Sequence, residues 1–423
     1  MGPQILSIVA LVAMFVLATT LDINLGVLGF IAAFTVGTWV LGLDTEAILA
    51  GFPGGLFVLL VGLTYLFALA AANGTVDLIV HWAICLVRGR AALVPWVLFG
   101  LAALLCAMGA VYAVAIVAPL AMPLARRYRI DPLLAGAMVV HGALAGFFSP
   151  VNPIGGFLAG LFAREGLAFE PLALLLTSFG INLAIAALLF ALLGRRWTEP
   201  PDPDEPGPGG GEASVAVRTS HAARVRPDQA VTLIGVGVLG LGTVALGIDV
   251  GFLAMCVAGV VTLACRGGHR EAVGAISWST VLLVCGVITY LGVVQEAGTI
   301  DLLGGRIAGI GAPLVAALLL CYLGGVASAF ASSIAILGVV VPLAVPFLQQ
   351  GDVAVVGMAA ALAVSATVVD VSPFSTYGAL VLASTAPEQR PALYRRLLRY
   401  SVLLIAVGPL LAWATLVVPG WGR

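Results

Sequence analysis

The chain has 423 residues, of which 61% are apolar and 9% charged, against roughly 25% charged residues in an ordinary soluble domain. Nineteen arginines, no lysine and twenty acidic residues leave a net charge of -1, so no basic field exists to hold nucleic acid, and no nucleic-acid partner is expected. Such a composition argues against a soluble enzyme and makes the lipid bilayer the first expected partner.

The first apolar run, 5 to 20, lacks a basic leader and an A-x-A-like cleavage site, so it reads as a retained span. Stretches of about 20 apolar residues, enough to cross a hydrocarbon core, then recur along the chain. The predicted crossings are 5 to 20, 24 to 43, 54 to 73, 132 to 163 and 171 to 194, followed by 229 to 246, 249 to 265, 279 to 297, 353 to 386 and 397 to 418. Two apolar stretches, 91 to 125 and 312 to 347, are too long for one span. Each has small residues at its middle, which suits a re-entrant hairpin. Residues 195 to 228, with five prolines between 200 and 208 and three glycines at 209 to 211, read as a disordered linker. Cys85, Cys106, Cys256, Cys265, Cys285 and Cys321 form no C-x-x-C pair and read as small buried hydrophobes.

The halves repeat at an offset of 223 to 225 residues. Leu21, Ile23, Gly26 and Leu28 recur as Leu246, Ile248, Gly251 and Leu253. Gly-Thr-Val-Asp-Leu at 74 to 78 recurs as Gly-Thr-Ile-Asp-Leu at 298 to 302. Pro-Leu-Ala-Met-Pro at 119 to 123 recurs as Pro-Leu-Ala-Val-Pro at 342 to 346, and Ser149, Pro150 and Gly155 recur as Ser372, Pro373 and Gly378. The expected organisation is a first repeat over 1–194 (hairpin 91–125, broken helix 132–163), the linker 195–228, and a second repeat over 229–423 (hairpin 312–347, broken helix 353–386). With five crossings per half, sixteen arginines fall on one side of the membrane and three (Arg164, Arg306, Arg423) on the other. The positive-inside rule then makes the linker cytoplasmic and both termini extracytoplasmic, in a multi-pass protein of the cytoplasmic (inner) membrane. An odd number of crossings inverts the second half, giving an all-α polytopic protein of two inverted five-helix repeats.

The fourth crossing of each half is the unusual one, because 32 continuous helical residues would run about 48 Å. Ser149-Pro150-Val151-Asn152-Pro153-Ile154-Gly155 interrupts the first and Ser372-Pro373-Phe374-Ser375-Thr376-Tyr377-Gly378 the second. Proline removes a backbone donor, and unwound backbone at membrane depth is tolerated where it is buried in protein or lines a wet cavity. Carbonyls freed there can hold a cation, while the half-helix beyond offers N-H groups to an anion. The candidate substrate ligands are therefore Gly109 and Ala110 at the first hairpin tip, Ser332 and Ser333 at the second, and Ser149, Asn152, Gly155, Ser375, Thr376 and Gly378 at the breaks. Asp370 lies within a span two residues before Ser372. An intramembrane carboxylate is paired, protonated or holding an ion, so Asp370 leads the ion-coupling candidates, joined by Ser149, Asn152, Ser372, Thr376 and His141. His141 also has a plain reading as a hydrogen-bonded core residue. A membrane-embedded enzyme would need a His/Glu metal site or a Ser/His pair, and the sequence offers no convincing one.

At these residues the sequence resembles the ion transporter superfamily. Through Ser-Pro-Phe-Ser-Thr-Tyr-Gly-Ala-Leu at 372 to 380 and the Pro-Leu-Ala-x-Pro hairpin ends, it is most similar to the malonate and dicarboxylate carriers of the MatC-like family. The resemblance implies a secondary transporter that moves a small malonate- or C4-type dicarboxylate by alternating access, coupled to sodium or protons, as a homodimer. No cofactor is implied beyond sodium bound at the two broken-helix loops. The related divalent-anion/sodium symporters carry Ser-Asn-Thr at both tips. This chain has Met108-Gly109-Ala110 and Ser332-Ser333-Ile334 there, so a proton on Asp370 is an alternative to one sodium. The competing reading is a cation/proton antiporter or another anion transporter of the same superfamily.

Overall fold

The computed structural model describes residues 2–21, 23–87, 90–164, 166–167, 170–194, 225–264, 269–299, 302, 312–329, 333–349 and 353–420. Among the described residues the fold is all-α. In the first half the helices are α1 (Gly2–Leu21), α2 (Leu25–Trp39), α3 (Thr45–Ala50), α4 (Gly54–Ala72), α5 (Thr75–Val87), α6 (Val94–Ala107), α7 (Ala113–Arg127), α8 (Pro132–Gly146), α9 (Pro153–Arg164) and α10 (Pro171–Leu193). The second half contributes α11 (Pro227–Leu246), α12 (Val250–Ala264), α13 (His269–Gly274), α14 (Trp278–Glu296), α15 (Pro313–Ser328), α16 (Ser333–Gln349), α17 (Val355–Thr367), α18 (Thr376–Ala383) and α19 (Arg390–Ala412). Five described segments are each long and apolar enough to cross a membrane alone: α4, α10, α14, α17 through α18, and α19 with the turn after it.

Local chemistry sets the boundaries. Asp131 caps α8 by accepting from Leu133 N at 2.8 Å, with Pro132 as the first helical residue. Asn24 caps α2 by accepting from Gly26 N at 2.9 Å. The recurring Gly-Thr-φ-Asp-Leu motif follows α4 in one half and α14 in the other, and its glycines, Gly74 and Gly298, have φ of 75° and 68°. A side chain would be strained there, which explains why the motif opens on glycine. Of the linker 195–228, residues 195–224 lie outside the described residues; α11 already begins at Pro227, with Arg226 as its cap.

The long helices pair through glycine. A Cβ on Gly26 of α2 would come within 1.9 Å of the Leu282 carbonyl oxygen of α14, and one on Gly286 within 1.9 Å of the Gly26 oxygen. The same partners recur with the halves exchanged. A Cβ on Gly251 of α12 would lie 2.8 Å from Leu59 Cα of α4, and one on Gly62 2.8 Å from the Gly251 oxygen. Lipid supplies little drive for helices to associate, so backbones that touch through glycine gain dispersion contacts a larger side chain would prevent.

Around these pairs lie two hairpins and two broken helices. The α6–α7 hairpin begins and ends at one end of the bundle. Trp96 in its first turn packs at a tilt against Phe190 in the last turn of α10, with ring centroids 5.3 Å apart, and Ala125 and Ile130 share a cleft of about 420 Å³ with Leu193 of the same helix. Its far tip, at Cys106, touches the break after α8. The other hairpin, α15–α16, starts beside the end of the last helix, where Trp413 Nε1 donates to Leu314 O at 2.8 Å. The Pro-Leu-Ala-x-Pro sequences lie within its second limb, α16, and within α7.

Candidate functional site

Both breaks are built in the same way. After α8, Asn152 N donates to Ser149 O at 2.8 Å, closing a turn around Pro150, and Ser149 Oγ accepts from Val151 N at 3.3 Å. After α17 a tight turn (Val368–Val371) leads to Ser372, where Ser375 N donates to Ser372 O at 2.9 Å and Ser372 Oγ accepts from Phe374 N at 3.3 Å. Each turn ends in a residue that caps the next half-helix: Asn152 Oδ1 accepts from Ile154 N at 2.8 Å, and Ser375 Oγ from Gly378 N at 3.3 Å. The half-helix then folds back over its own turn, so a Cβ on Gly155 would be 2.1 Å from Ser149 O, and one on Gly378 2.0 Å from Ser372 O. Ser149, Ser372, Gly155 and Gly378 thus shape the loops.

The side chains differ between the breaks. Asn152 is fully buried, and its amide donates to the Cys106 carbonyl of the first tip at 2.6 Å. An amide donor therefore occupies the position a cation would take against that carbonyl. At the second break, Ser328 Oγ at the end of α15 donates to Ser333 Oγ at 2.9 Å, and Ser333 Oγ donates to Asp370 Oδ1 at 2.5 Å. Ser375 Oγ donates to Asp370 O and, at 2.8 Å, to Ser372 O. Among the described residues Asp370 Oδ2 has no hydrogen-bond donor.

A cavity of about 60 Å³ lies at this carboxylate. The second break contributes Asp370, Ser375, Thr376 and Tyr377, and the start of α16 contributes Ser333 and Ile334. Val111 and Tyr112 of the first tip and Phe147 at the end of α8 close it from the other half. Tyr377 Oη donates to Val111 O at 2.5 Å, and its ring stands edge-on to Phe147 at 6.3 Å. The volume suits a few waters or a small ion. Among the described residues no arginine or histidine lines it, so hydroxyls and backbone are the described groups that can face an anion, with any bound cation. Larger cavities lie elsewhere. One of about 620 Å³ runs behind the first break past Pro150 and Gly156 to Arg164 and Asp249, and another of the same size is almost wholly apolar.

The structure thus gathers Asp370, Ser333, Ser375 and Thr376 of the sequence candidates around one space. Ser149, Asn152 and Gly155 are buried beside the first tip and do not line it. Gly109, with φ of 115°, makes the turn of that tip; Ala110 is buried. Ser332 lies outside the described residues. His141 sits apart, clamped between α10 and α19: Nδ1 is 2.8 Å from Asn182 Oδ1 and Nε2 2.7 Å from Tyr400 Oη. An amide oxygen only accepts, so Nδ1 carries the proton. Sequence reasoning missed Ser328, Tyr112, Phe147 and Tyr377 as site residues. Two had a signal: Tyr377 stands inside the recurring motif, and Phe147 holds the place in the first half that Asp370 holds in the second, at an offset of 223.

Comparison with known proteins agrees with this architecture. Residues 1–147 match the family described as dicarboxylate carrier protein MatC N-terminus. The resemblance read from residues 372 to 380 is therefore met by a match on a different stretch of chain. The fold is similar to the crystal structure of the Alcanivorax borkumensis YdaH transporter, described as having an unusual topology, at 17% identity and a TM-score of 0.61, over 97% of this chain and 98% of that one. No curated protein matches the chain. The family match, over the first third of the chain, and the shared fold point to a membrane transporter rather than an enzyme.

Proposed function

We propose that the protein is a secondary active transporter of a small dicarboxylate, malonate- or C4-like, driven by a cation gradient through alternating access of the site between the hairpin tips. The carrying observation is the cavity at Asp370, where one carboxylate oxygen is tied to Ser333 and the other has no donor among the described residues. Among the described residues no basic side chain lines the space. A carboxylate so placed needs a proton or a metal cation to offset its charge, and an incoming dianion would repel it otherwise. Binding of the cation and of the anion is thereby cooperative, which is the requirement for symport. The commitment of Asn152 to Cys106 O favours a single coupling site at the second break over two sodium sites.

The test is uptake of labelled malonate and succinate into proteoliposomes, with sodium and pH gradients imposed separately, for wild type and Asp370→Asn. Uptake by wild type driven by one gradient, with that dependence lost in Asp370→Asn, is the expected result. Asp370→Asn keeps size and a hydrogen-bonding group, so unchanged coupling in this variant makes Asp370 structural. Cation flux against protons without any dicarboxylate would establish the antiporter reading instead, in which Asp370 is the exchanging carboxylate. A homodimer is proposed on the resemblance alone.

A further inference from the structure

We infer that Tyr377 is a substrate ligand whose phenol holds the first hairpin tip shut while the site is empty; the inference rests on the dicarboxylate reading above. A dicarboxylate is larger than this closed cavity of about 60 Å³ and fits only once the first tip has moved; it then needs O-H or N-H donors, and the hydroxyls present can be counted. Ser333 spends its one proton on Asp370, and Ser375 shares its own between carbonyls of its own loop. Thr376 and Tyr112 line the space, and neither has a side-chain hydrogen bond among the described residues. These two hydroxyls are open to a ligand, and Tyr377 is the third donor, the one whose proton is held by a group that substrate could displace: the neutral carbonyl of Val111 in the opposite half of the chain, 266 positions away.

A phenol has one proton to donate, so it cannot serve Val111 and a carboxylate together. The carboxylate is the stronger acceptor, because a hydrogen bond to an ionised oxygen is shorter and roughly twice as strong as one to a neutral carbonyl. The ring is 5% exposed and packed edge-on to Phe147, so a small turn of the phenol rather than relocation of the ring would redirect the hydroxyl. Substrate binding and the tie to the first tip are then mutually exclusive. Arrival of a dicarboxylate frees Val111, and with it the turn at Gly109 that joins α6 to α7. The arrangement supplies, from the second half, the hydroxyl that Met108-Gly109-Ala110 lacks.

Two measurements test this. The first is the concentration dependence of succinate uptake by wild type and Tyr377→Phe, where loss of a charge-assisted bond is expected to raise KM about tenfold or more. The second is amide hydrogen exchange over residues 104–116 in detergent-solubilised protein, with and without succinate. In wild type, succinate is expected to speed exchange of this segment; in Tyr377→Phe exchange is already fast without ligand, and succinate adds nothing. An unchanged KM, or exchange in the empty Tyr377→Phe protein equal to wild type, overturns the proposal. Should the variant not accumulate as folded protein, wild type decides alone: slowed or unchanged exchange on adding succinate overturns it. Failure of the dicarboxylate reading is recognised separately, since wild type would then take up no dicarboxylate, while the effect of Tyr377→Phe on the empty tip still reports the tie to Val111.

Discussion

Gly155 and Gly378 set how tightly each half-helix folds over the turn that precedes it. An added methyl at either position meets a backbone oxygen at 2.1 or 2.0 Å, and backbone cannot rotate away as a flexible side chain can. Gly155→Ala and Gly378→Ala should therefore each destabilise the protein by about 2 kcal/mol or more, since such overpacking forces the loop itself to move. Thermal unfolding in detergent measures it. Gly259→Ala is the control: it lies within α12 with nothing within 4 Å of the new methyl, and should be neutral or stabilising by about 0.5 kcal/mol through helix propensity. The value of these glycines was partly legible, because each stands six residues after a Ser-Pro in both halves. What periodicity could not convey was the inequality of Asn152 and Ser375. Both cap a half-helix, but only the amide of Asn152 has a second donor reach, and it is spent on the first tip.

Among elements, the exchanged contacts of α2 with α14 and of α12 with α4 explain why the repeat survives in the sequence at all. Gly26 and Gly251, 225 residues apart, sit against equivalent stretches of the other half, as do Gly62 and Gly286, 224 apart. Such reciprocity is what a two-fold relation between the halves produces. The two contacts are unequally tight, so Gly286→Ala, with 1.9 Å to the Gly26 oxygen, should lower the unfolding midpoint more than Gly62→Ala, with 2.8 Å to the Gly251 oxygen. Equal effects would mean that the helix pairs can separate freely. The five segments long enough to cross alone were legible because 18 or more apolar residues leave little alternative to a helix in lipid. Helix α5 was not foreseen: at 13 residues, with Asp77 and His81 in its sequence, it falls below any spanning pattern. The site was less legible than the spans. The bond from Tyr377 to Val111 joins positions whose proximity is a property of packing between halves, and no local signal encodes it.

At the scale of the molecule, charge gives the chain a polarity that the structure lets one follow along a single helix. Arg164 reaches toward Gly51 O just before α4, at 3.5 Å, whereas Arg226 donates to Asn73 O just after it. The 19 residues between span about 28 Å at 1.5 Å per residue, close to the thickness of a hydrocarbon core. These two arginines therefore mark opposite ends of the bundle. Arg126 and Arg129 share one cleft with Asp131, which Arg396 binds at 2.7 Å, so three of the sixteen arginines expected on one side converge there. If that crowded end faces the cytoplasm, as the positive-inside rule requires, the linker belongs there and the segment around α3 faces outward. Single cysteines at Ser214 in the linker and Thr45 at the start of α3, on a background in which the exposed Cys85 and Cys256 are replaced, separate the two orientations. With a membrane-impermeant maleimide on intact cells, Thr45→Cys should label and Ser214→Cys should label only after permeabilisation. The reverse pattern would invert the protein in the membrane and move the Arg164 mouth of the large cavity to the cytoplasmic side. Labelling of both positions from outside would instead mean that α4 and its neighbours do not cross the bilayer as a unit, which the continuous apolar length of α4 makes costly.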